Sequence, residues 1–299
     1  MSAQLFPPYP LIRDGLRDGT VIPFLGSGAS LGRAAPADAE EEAAAGTLPT
    51  AAELASQLAR QVNFPPDELL ELAKVAQYYD VVGGRPSLKR KLHDIFCRDY
   101  GCPSLHRHLA AIDRPMLVVT TNYDDLIEQA FRAAGKPFDL VVHTTDLDIG
   151  EQVLWWRAGA SAPVQVIPNK LDLDLHAANV VYKMHGAVDR RAPDGGQYVI
   201  TEDDYIDFLV RMTRNTAVPA VIAEAFQKRH FLFLGYGLRD WNMRVVLSRM
   251  ERDLRRDQRL TSWAIQHRPS PLERHIWQTR NVVVYDMKLD SFVAELASQ

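Results

Sequence analysis

Two hydrophobic rhythms divide this chain. Short, nearly continuous apolar runs occur at Val21-Ile22-Pro23-Phe24-Leu25, Met116 to Thr121, Phe138 to Val142, Val180 to Met184, Phe231 to Leu234, Ser262 to Gln266 and Val282 to Tyr285. Runs of that length bounded by polar and turn residues read as strands buried on both faces. Between them the apolar residues return at helical spacing. Pro49-Thr50-Ala51-Ala52-Glu53 opens one such stretch as a capping box, and Leu54, Leu58 and Val62 continue along one face. Leu69 to Tyr79 and Leu88 to Phe96 repeat the period around Gly83-Gly84-Arg85-Pro86, so residues 50–112 are predicted to be a helical insertion subdomain. Further helices are expected at Asp124 to Ala134, closed by Gly135, and at 202–213, 216–229 and 240–256. The segment around Trp155 and Trp156 is less regular. Strands alternating with helices imply an α/β fold, a mostly parallel sheet with helices on both faces.

Composition adds little to that picture and contradicts none of it. The 299 residues are 46% hydrophobic and 24% charged, ordinary globular values. A net charge of −4 gives no electrostatic case for nucleic acid or an anionic membrane. The densest basic stretch, Arg249 to Arg259, is interleaved with Glu251, Asp253 and Asp257 and reads as a solvated helix face. No signal pattern opens the chain, and no apolar run approaches the ~18 residues of a membrane span, so a cytoplasmic protein is expected. Cys97 and Cys102 cannot complete a four-ligand zinc site unless His93, His106 or His108 joins them, and no metal is expected. The Ala- and Glu-rich stretch between Leu31 and Leu48 reads as an inserted loop.

Chemistry is suggested where three strands run out. Gly26-Ser27-Gly28-Ala29-Ser30 follows the first strand, and its glycines permit a tight turn whose N–H groups from Gly28 to Ser30 suit a phosphate. Thr121-Asn122-Tyr123-Asp124 and Lys183-Met184-His185-Gly186 occupy the ends of two later strands. In open α/β sheets ligands bind beyond the carboxyl ends of strands, so these strings are expected to converge on one nucleotide site. Asn122 offers donors and an acceptor without net charge, and His185 suits general-base work near neutral pH. Asp124 is equally suited to capping the helix that starts there. The remaining histidines are read as structural; Trp155, Trp156 and Trp241 are read as packing residues, the first two also as candidate pocket walls.

The strings together resemble those of the sirtuins, and more closely the sirtuin-like domains of prokaryotic immune proteins. Gly26-Ser27-Gly28-Ala29-Ser30 is similar to the family's phosphate loop, with Ser27 where Ala is usual. Thr121-Asn122-Tyr123-Asp124 resembles the string that carries the catalytic Asn, His185-Gly186 the catalytic His-Gly, and Leu234-Gly235-Tyr236-Gly237-Leu238-Arg239-Asp240 the late loop facing the adenosine half of NAD. Val199-Ile200-Thr201-Glu202-Asp203-Asp204-Tyr205 resembles a segment of the immune subgroup. The zinc ribbon's Cys-x-x-Cys pairs and the Pro-Asp-Phe-Arg string are missing, which disfavours protein deacylation.

The resemblance implies a single Rossmann-like catalytic domain over residues 1–299, with NAD as substrate. Catalysis would fall to Asn122, His185 and Asp124, and NAD binding to Gly26, Ser27, Gly28, Ala29, Ser30, Thr121, Gly235, Tyr236 and Gly237. It further implies an NAD glycohydrolase serving anti-phage defence, held in check by homo-oligomer assembly or by a separately encoded Argonaute-type or ATPase-type partner. Order in residues 34–45, just beyond the phosphate loop, is a candidate gate. The alternatives are a regulatory module that binds NAD or ADP-ribose without turnover, and a deacylase or ADP-ribosyltransferase.

Overall fold

A computed structural model describes residues 6–31, 46–146, 149–214, 216–236 and 260–298. The expected helix at 240–256, Trp241, the basic stretch at 249–259, Gly237 and the candidate gate at 34–45 lie outside the described residues. Nine strands form one sheet: β1 (Val21–Leu25), β2 (Leu117–Thr120), β3 (Phe138–His143), β4 (Val153–Trp156), β5 (Val164–Val166), β6 (Asn179–Lys183), β7 (His230–Leu234), β8 (Ser262–Gln266) and β9 (Val282–Asp286). Their order is β5-β4-β3-β6-β2-β1-β7-β8-β9. Every pairing from β3 to β9 is parallel, whereas β3–β4 and β4–β5 are antiparallel. All seven strands read from the sequence are present. The less regular segment contains β4 and β5, whose antiparallel ladder needs no helical crossover and left no alternating signature.

The strands are apolar throughout because both faces are covered, and successive residues divide between two cores. Ile22, Phe24, Val119, Tyr182, Phe231 and Phe233 face one core, capped by α7 (Glu202–Thr213), α8 (Ala220–Lys228) and α9 (Pro271–Gln278) through Phe208, Ile222 and Trp277. Val21, Leu25, Val118, Val181, Leu232 and Leu234 face the other. That core is closed by α1 (Tyr9–Arg17), α5 (Ser104–Ala111), α6 (Leu126–Ala133) and α10 (Leu289–Ser298). Trp155 is buried in the first core, with the Arg157 guanidinium 4.4 Å over its ring. Three of these helices, α1, α9 and α10, are not among the sequence expectations. Each is eight to ten residues long and places a few apolar anchors, such as Ile12, Trp277 and Phe292, among many polar ones.

Helices α2 (Ala51–Gln61), α3 (Leu72–Gly83) and α4 (Arg85–Phe96) share a third core. Leu54, Leu58, Val75, Tyr79, Leu92 and Phe96 pack there on one another. Tyr123, Leu126, Tyr198 and Ile200 join that cluster, which seats the helices over the ends of β2 and β6. The capping box at Thr50 forms as read: its Oγ1 accepts from Glu53 N–H at 3.3 Å, and Glu53 Oε2 accepts from Thr50 N–H at 2.7 Å. Helix α5 packs instead on α6 and α10, with Leu105 and Leu109 in the second core.

Candidate active site

The chain reverses its direction of travel across the sheet at β1. Strands β2, β6 and β3 lie on one side of it and β7, β8 and β9 on the other, which makes the carboxyl ends of β1 and its neighbours the ligand crevice of such a sheet. The sequence strings all emerge there. Gly26 to Ser30 leaves β1, Thr121 to Asp124 leaves β2, His185-Gly186 leaves β6 and Gly235-Tyr236 leaves β7.

The loop after β1 closes as a 3-10 turn at Ser27–Ala29 and docks on the loop after β7. Gly28 N–H donates to Gly235 O at 2.8 Å, and Gly26 N–H to Leu234 O at 3.0 Å. Gly235 has φ +64, and a Cβ there would stand 2.0 Å from Ala29 N. The glycines are therefore required by backbone meeting backbone. The N–H groups of Gly28 to Ser30, read from the sequence as bare, are paired in this structure: Ala29 N–H donates to Gly26 O at 2.9 Å and Ser30 N–H to Ser27 O at 3.2 Å. Ala29 is packed in the second core.

Side chains organise the loop after β2. Asn122 Nδ2 donates to Gly26 O at 2.9 Å and to Ser30 Oγ at 3.0 Å, and Ser30 Oγ donates to Asp124 Oδ2 at 2.9 Å. Because a carbonyl oxygen only accepts, Gly26 fixes which end of the amide faces it, and Asn122 Oδ1 is the end left to meet a ligand. Asp124 Oδ1 accepts from Leu126 N–H at 3.2 Å, so this residue, one position before the N-cap Asp125, holds the first turn of α6 while its other oxygen is bonded through Ser30 to Asn122.

His185 is buried against aromatic edges, with ring centroids 5.6 Å from Tyr205 and 5.2 Å from Phe208 at near-perpendicular angles. Tyr205 and Phe208 sit on α7, whose start is fixed by a second capping box: Thr201 Oγ1 accepts from Asp204 N–H at 3.1 Å. Arg85 of α4 clasps Asp204 with two bonds of 2.9 Å, which ties the helical layer to the wall behind His185. His143 also packs edge-on against Phe208, and burial pushes its pKa down to about 3, with the Arg211 guanidinium reinforcing the shift. It stays neutral.

A cavity of about 300 Å³ unites these groups. Gly26, Ser27, Ser30, Thr121, Asn122, Asp124, His185 and Tyr236 line one side of it; Leu48, Leu54, Leu72 and Phe96 of the helical layer line the other. Gly28, Ala29 and Gly235 lie behind that lining. A larger cavity of about 630 Å³ opens over β3 and β4, between Arg132, Lys136, Leu140, Trp156 and Arg190, but Asn122, Asp124 and His185 do not reach it. The chemistry is concentrated in the smaller one. Trp156 thus faces a cavity, although not the one with the histidine. Among the described residues, no cluster of three or more His, Cys, Asp or Glu side chains could hold a metal ion. Cys97 and Cys102 are half-buried thiols, and burial pushes the first up to about 11.

Sequence reasoning quoted Lys183 and Tyr205 within longer strings but gave neither a role, and it did not single out Phe208. Phe208 carried no signal beyond helical spacing; Lys183 did, as a lone cation inside the apolar run Val180 to Met184.

The profile of the SIR2-like domain matches residues 116–285, more than half of the chain, and the protein belongs to that family. Relatives extend the match toward the amino terminus. The chain is 29% identical to "NAD(+) hydrolase ThsA" of Bacillus cereus (strain MSX-D12) over 228 residues, 74% of this chain and 41% of that protein. It is 32% identical to "NAD(+) hydrolase ThsA" of Acinetobacter baumannii (strain 532279) over 209 residues, 69% of this chain and 37% of that one. It is 27% identical to "Defense-associated sirtuin 2" of Bacillus subtilis over 212 residues, 71% and 18%. The chain therefore spans less than half the length of these relatives. Among the described residues no helix is long and apolar enough to cross a membrane.

Proposed function

We propose that this chain is an NAD glycohydrolase domain, which cleaves NAD to nicotinamide and ADP-ribose. The supporting observation is the 300 Å³ cleft in which Asn122, Asp124 and His185 meet Ser27, Ser30 and Tyr236, in a family whose relatives include proteins named NAD(+) hydrolase. In the reaction the bond between C1′ of the ribose and the pyridinium nitrogen breaks. Its electron pair leaves with nicotinamide, and positive charge develops on the ribose. Asn122 Oδ1 accepts from a ribose hydroxyl or from the attacking water, and its carbonyl dipole faces the developing charge. Water adds at C1′ and gives its proton to His185. Asp124, acting through Ser30, holds the amide at its angle. Ser27, Ser30 and Thr121, which line the cleft, are the contacts offered to the phosphates, and Tyr236 is the one offered to the adenosine.

The helical layer contributes a Leu and Phe wall to the cleft, and the zinc ribbon's Cys-x-x-Cys pairs are missing from the sequence, which disfavours deacylation. Cellular NAD depletion in anti-phage defence is the role this activity fits, supported by the relative named a defence-associated sirtuin. Such an activity needs restraint. A cytoplasmic homo-oligomer, or a complex with a separately encoded Argonaute-type or ATPase-type sensor, would supply it.

Incubating the purified chain with NAD across a range of protein concentrations, with and without an acetyl-lysine peptide, tests the reading. Nicotinamide release without peptide is the expected result. Release only with peptide would make the domain a deacylase; NAD retained unhydrolysed at every concentration would make it a binding module.

A further inference from the structure

Strand β6 carries one cation in an otherwise apolar, fully covered run, and Lys183 is 0% exposed. Burying an ammonium costs several kcal/mol unless a counter-ion and hydrogen-bond acceptors surround it, so its partners identify its task. Lys183 Nζ lies 3.1 Å from Oε1 of Glu128, a carboxylate on α6 buried as deeply. The same ammonium donates to the main-chain carbonyl of Asp124 and, at 3.4 Å, to that of Asn122. The carbonyl between them, Tyr123 O, accepts from Val188 N–H at 2.9 Å.

Three successive carbonyls of an irregular loop are thus held by β6 and the turn that follows it. No helix or ladder could satisfy them there, because α6 begins only at Leu126 and β2 has ended at Thr120. Lys183 is also the last residue of β6, two residues before His185. One ammonium therefore ties the strand end that carries the imidazole to the loop that carries the amide. The pair is an expensive way to hold a fold: buried ion pairs are commonly no more stabilising than well-packed apolar residues of the same volume. What an apolar pair cannot reproduce is the pair of donor contacts to the loop. Glu128 Oε2 has no hydrogen-bond partner, so on that side too the pair is arranged for its ammonium rather than for complete satisfaction.

We propose that Lys183 is a positioning residue for NAD cleavage, its ammonium, countered by Glu128, clamping the Asn122 to Asp124 loop so that Asn122 Oδ1 meets the reacting ribose. This rests on the NAD-cleaving reading above. The informative variant is Lys183→Met combined with Glu128→Leu, which removes both charges and preserves volume. It is expected to fold with a Tm close to or above the parent's, to keep KM for NAD within about threefold, and to lose ~10²-fold in kcat, the scale expected when a catalytic group is displaced by about 1 Å. Amide exchange at Tyr123 to Leu126 should quicken while exchange in β1 and β7 stays as it was, a change that a general loss of stability would not confine to one loop. Should the Met/Leu pair fail to fold, Lys183→Gln with Glu128→Leu returns donors without charge and should lower kcat by about tenfold. A folded double variant of either kind with the parent's kcat overturns the proposal. Asn122→Ala measured alongside separates the two claims: an inactive Asn122→Ala beside a fully active double variant removes Lys183 alone, whereas a fully active Asn122→Ala removes the assignment of the loop itself.

Discussion

The two halves of the cleft are built by different means. On the β1–β7 side, main chain meets main chain: Gly26, Gly28 and Gly235 approach so closely that a methyl group has no space, and side chains add little. On the β2–β6 side the backbone is irregular, and side chains hold it: Asn122, Ser30 and Asp124 in a relay, with Lys183 and Glu128 beneath. Steric closure makes the first half stiff and intolerant of bulk. Polar closure makes the second sensitive to the loss of single atoms and to protons. The nucleotide's invariant part suits the first, and the reacting bond, where charge moves, suits the second.

The largest effect expected is on rate and falls on the polar half. Asn122→Ala and His185→Ala should each cost at least ~10²–10⁴-fold in nicotinamide release, the usual value of general-base or electrostatic assistance. Circular dichroism should stay native for both, with a loss of about 1–3 kcal/mol for Asn122→Ala as Gly26 O and Ser30 Oγ lose a partner. Near-parent turnover in a folded variant would remove that residue from the chemistry.

Gly235→Ala breaks the steric half. A residue other than glycine at φ +64 is strained by about 1–2 kcal/mol, and its Cβ would stand 2.0 Å from Ala29 N, a main-chain atom that cannot swing aside. A total loss above about 3 kcal/mol is expected in urea unfolding, with NAD affinity falling in step. Unchanged stability would mean that the β1 and β7 loops are not locked together.

Protons sharpen the contrast. Burial pushes His106, beneath the Asp124 loop, down to about 4, with Asp124 opposing and Lys183 reinforcing the shift, and it pushes His143 down to about 3. The unfolded chain takes up these protons near pH 6.5 and the folded chain only near 4 or 3. Acid therefore favours unfolding. Below about pH 6.5 and down to about 4, stability should fall by roughly 1.4 kcal/mol per pH unit for each histidine. Urea midpoints at pH 7, 6 and 5 measure the slope, and His106→Leu should flatten it. A slope unchanged by that substitution would show that His106 is protonated in the folded protein.

How much of this was legible in the sequence follows the same division. Buried parallel strands announce themselves as short apolar runs, and the motif residues at their ends could be read because strand exits converge in such sheets. The relay through Ser30 could not be read, since it joins residues more than ninety positions apart by hydrogen bonds. The paired amides of Gly28 to Ser30 were hidden because Gly28 N–H finds its acceptor on Gly235, a tertiary partner, while Ala29 and Ser30 close a local 3-10 turn that a Gly-rich string does not by itself specify. Strand β4, Val153 to Trp156, is a four-residue apolar run that escaped because its two tryptophans were read as packing residues, and β5 is a three-residue, largely exposed strand at the sheet edge. Helices α9 and α10 are only eight and ten residues long, too short for a helical period to stand out around Trp277 or around Phe292, Val293 and Leu296.

The smallest effect expected concerns the helical wall opposite the chemistry. Leu48, Pro49 and Ala51 line the cavity beside Leu54, and the capping box of Thr50 and Glu53 sets where α2 begins among them. Thr50→Ala removes an acceptor for Glu53 N–H and should cost about 1 kcal/mol. Fraying of that first turn loosens an apolar wall of the cleft that, on the proposed reading, contacts NAD without carrying a reacting group. KM for NAD should rise a few-fold while kcat stays within twofold, the signature of lost uniform binding. Thr50→Ser, which keeps the hydroxyl, should restore both stability and KM. A fall in kcat equal to the fall in kcat/KM would instead place the helical wall within the transition-state contacts, and the division between a binding side and a reacting side of the cleft would have to be redrawn.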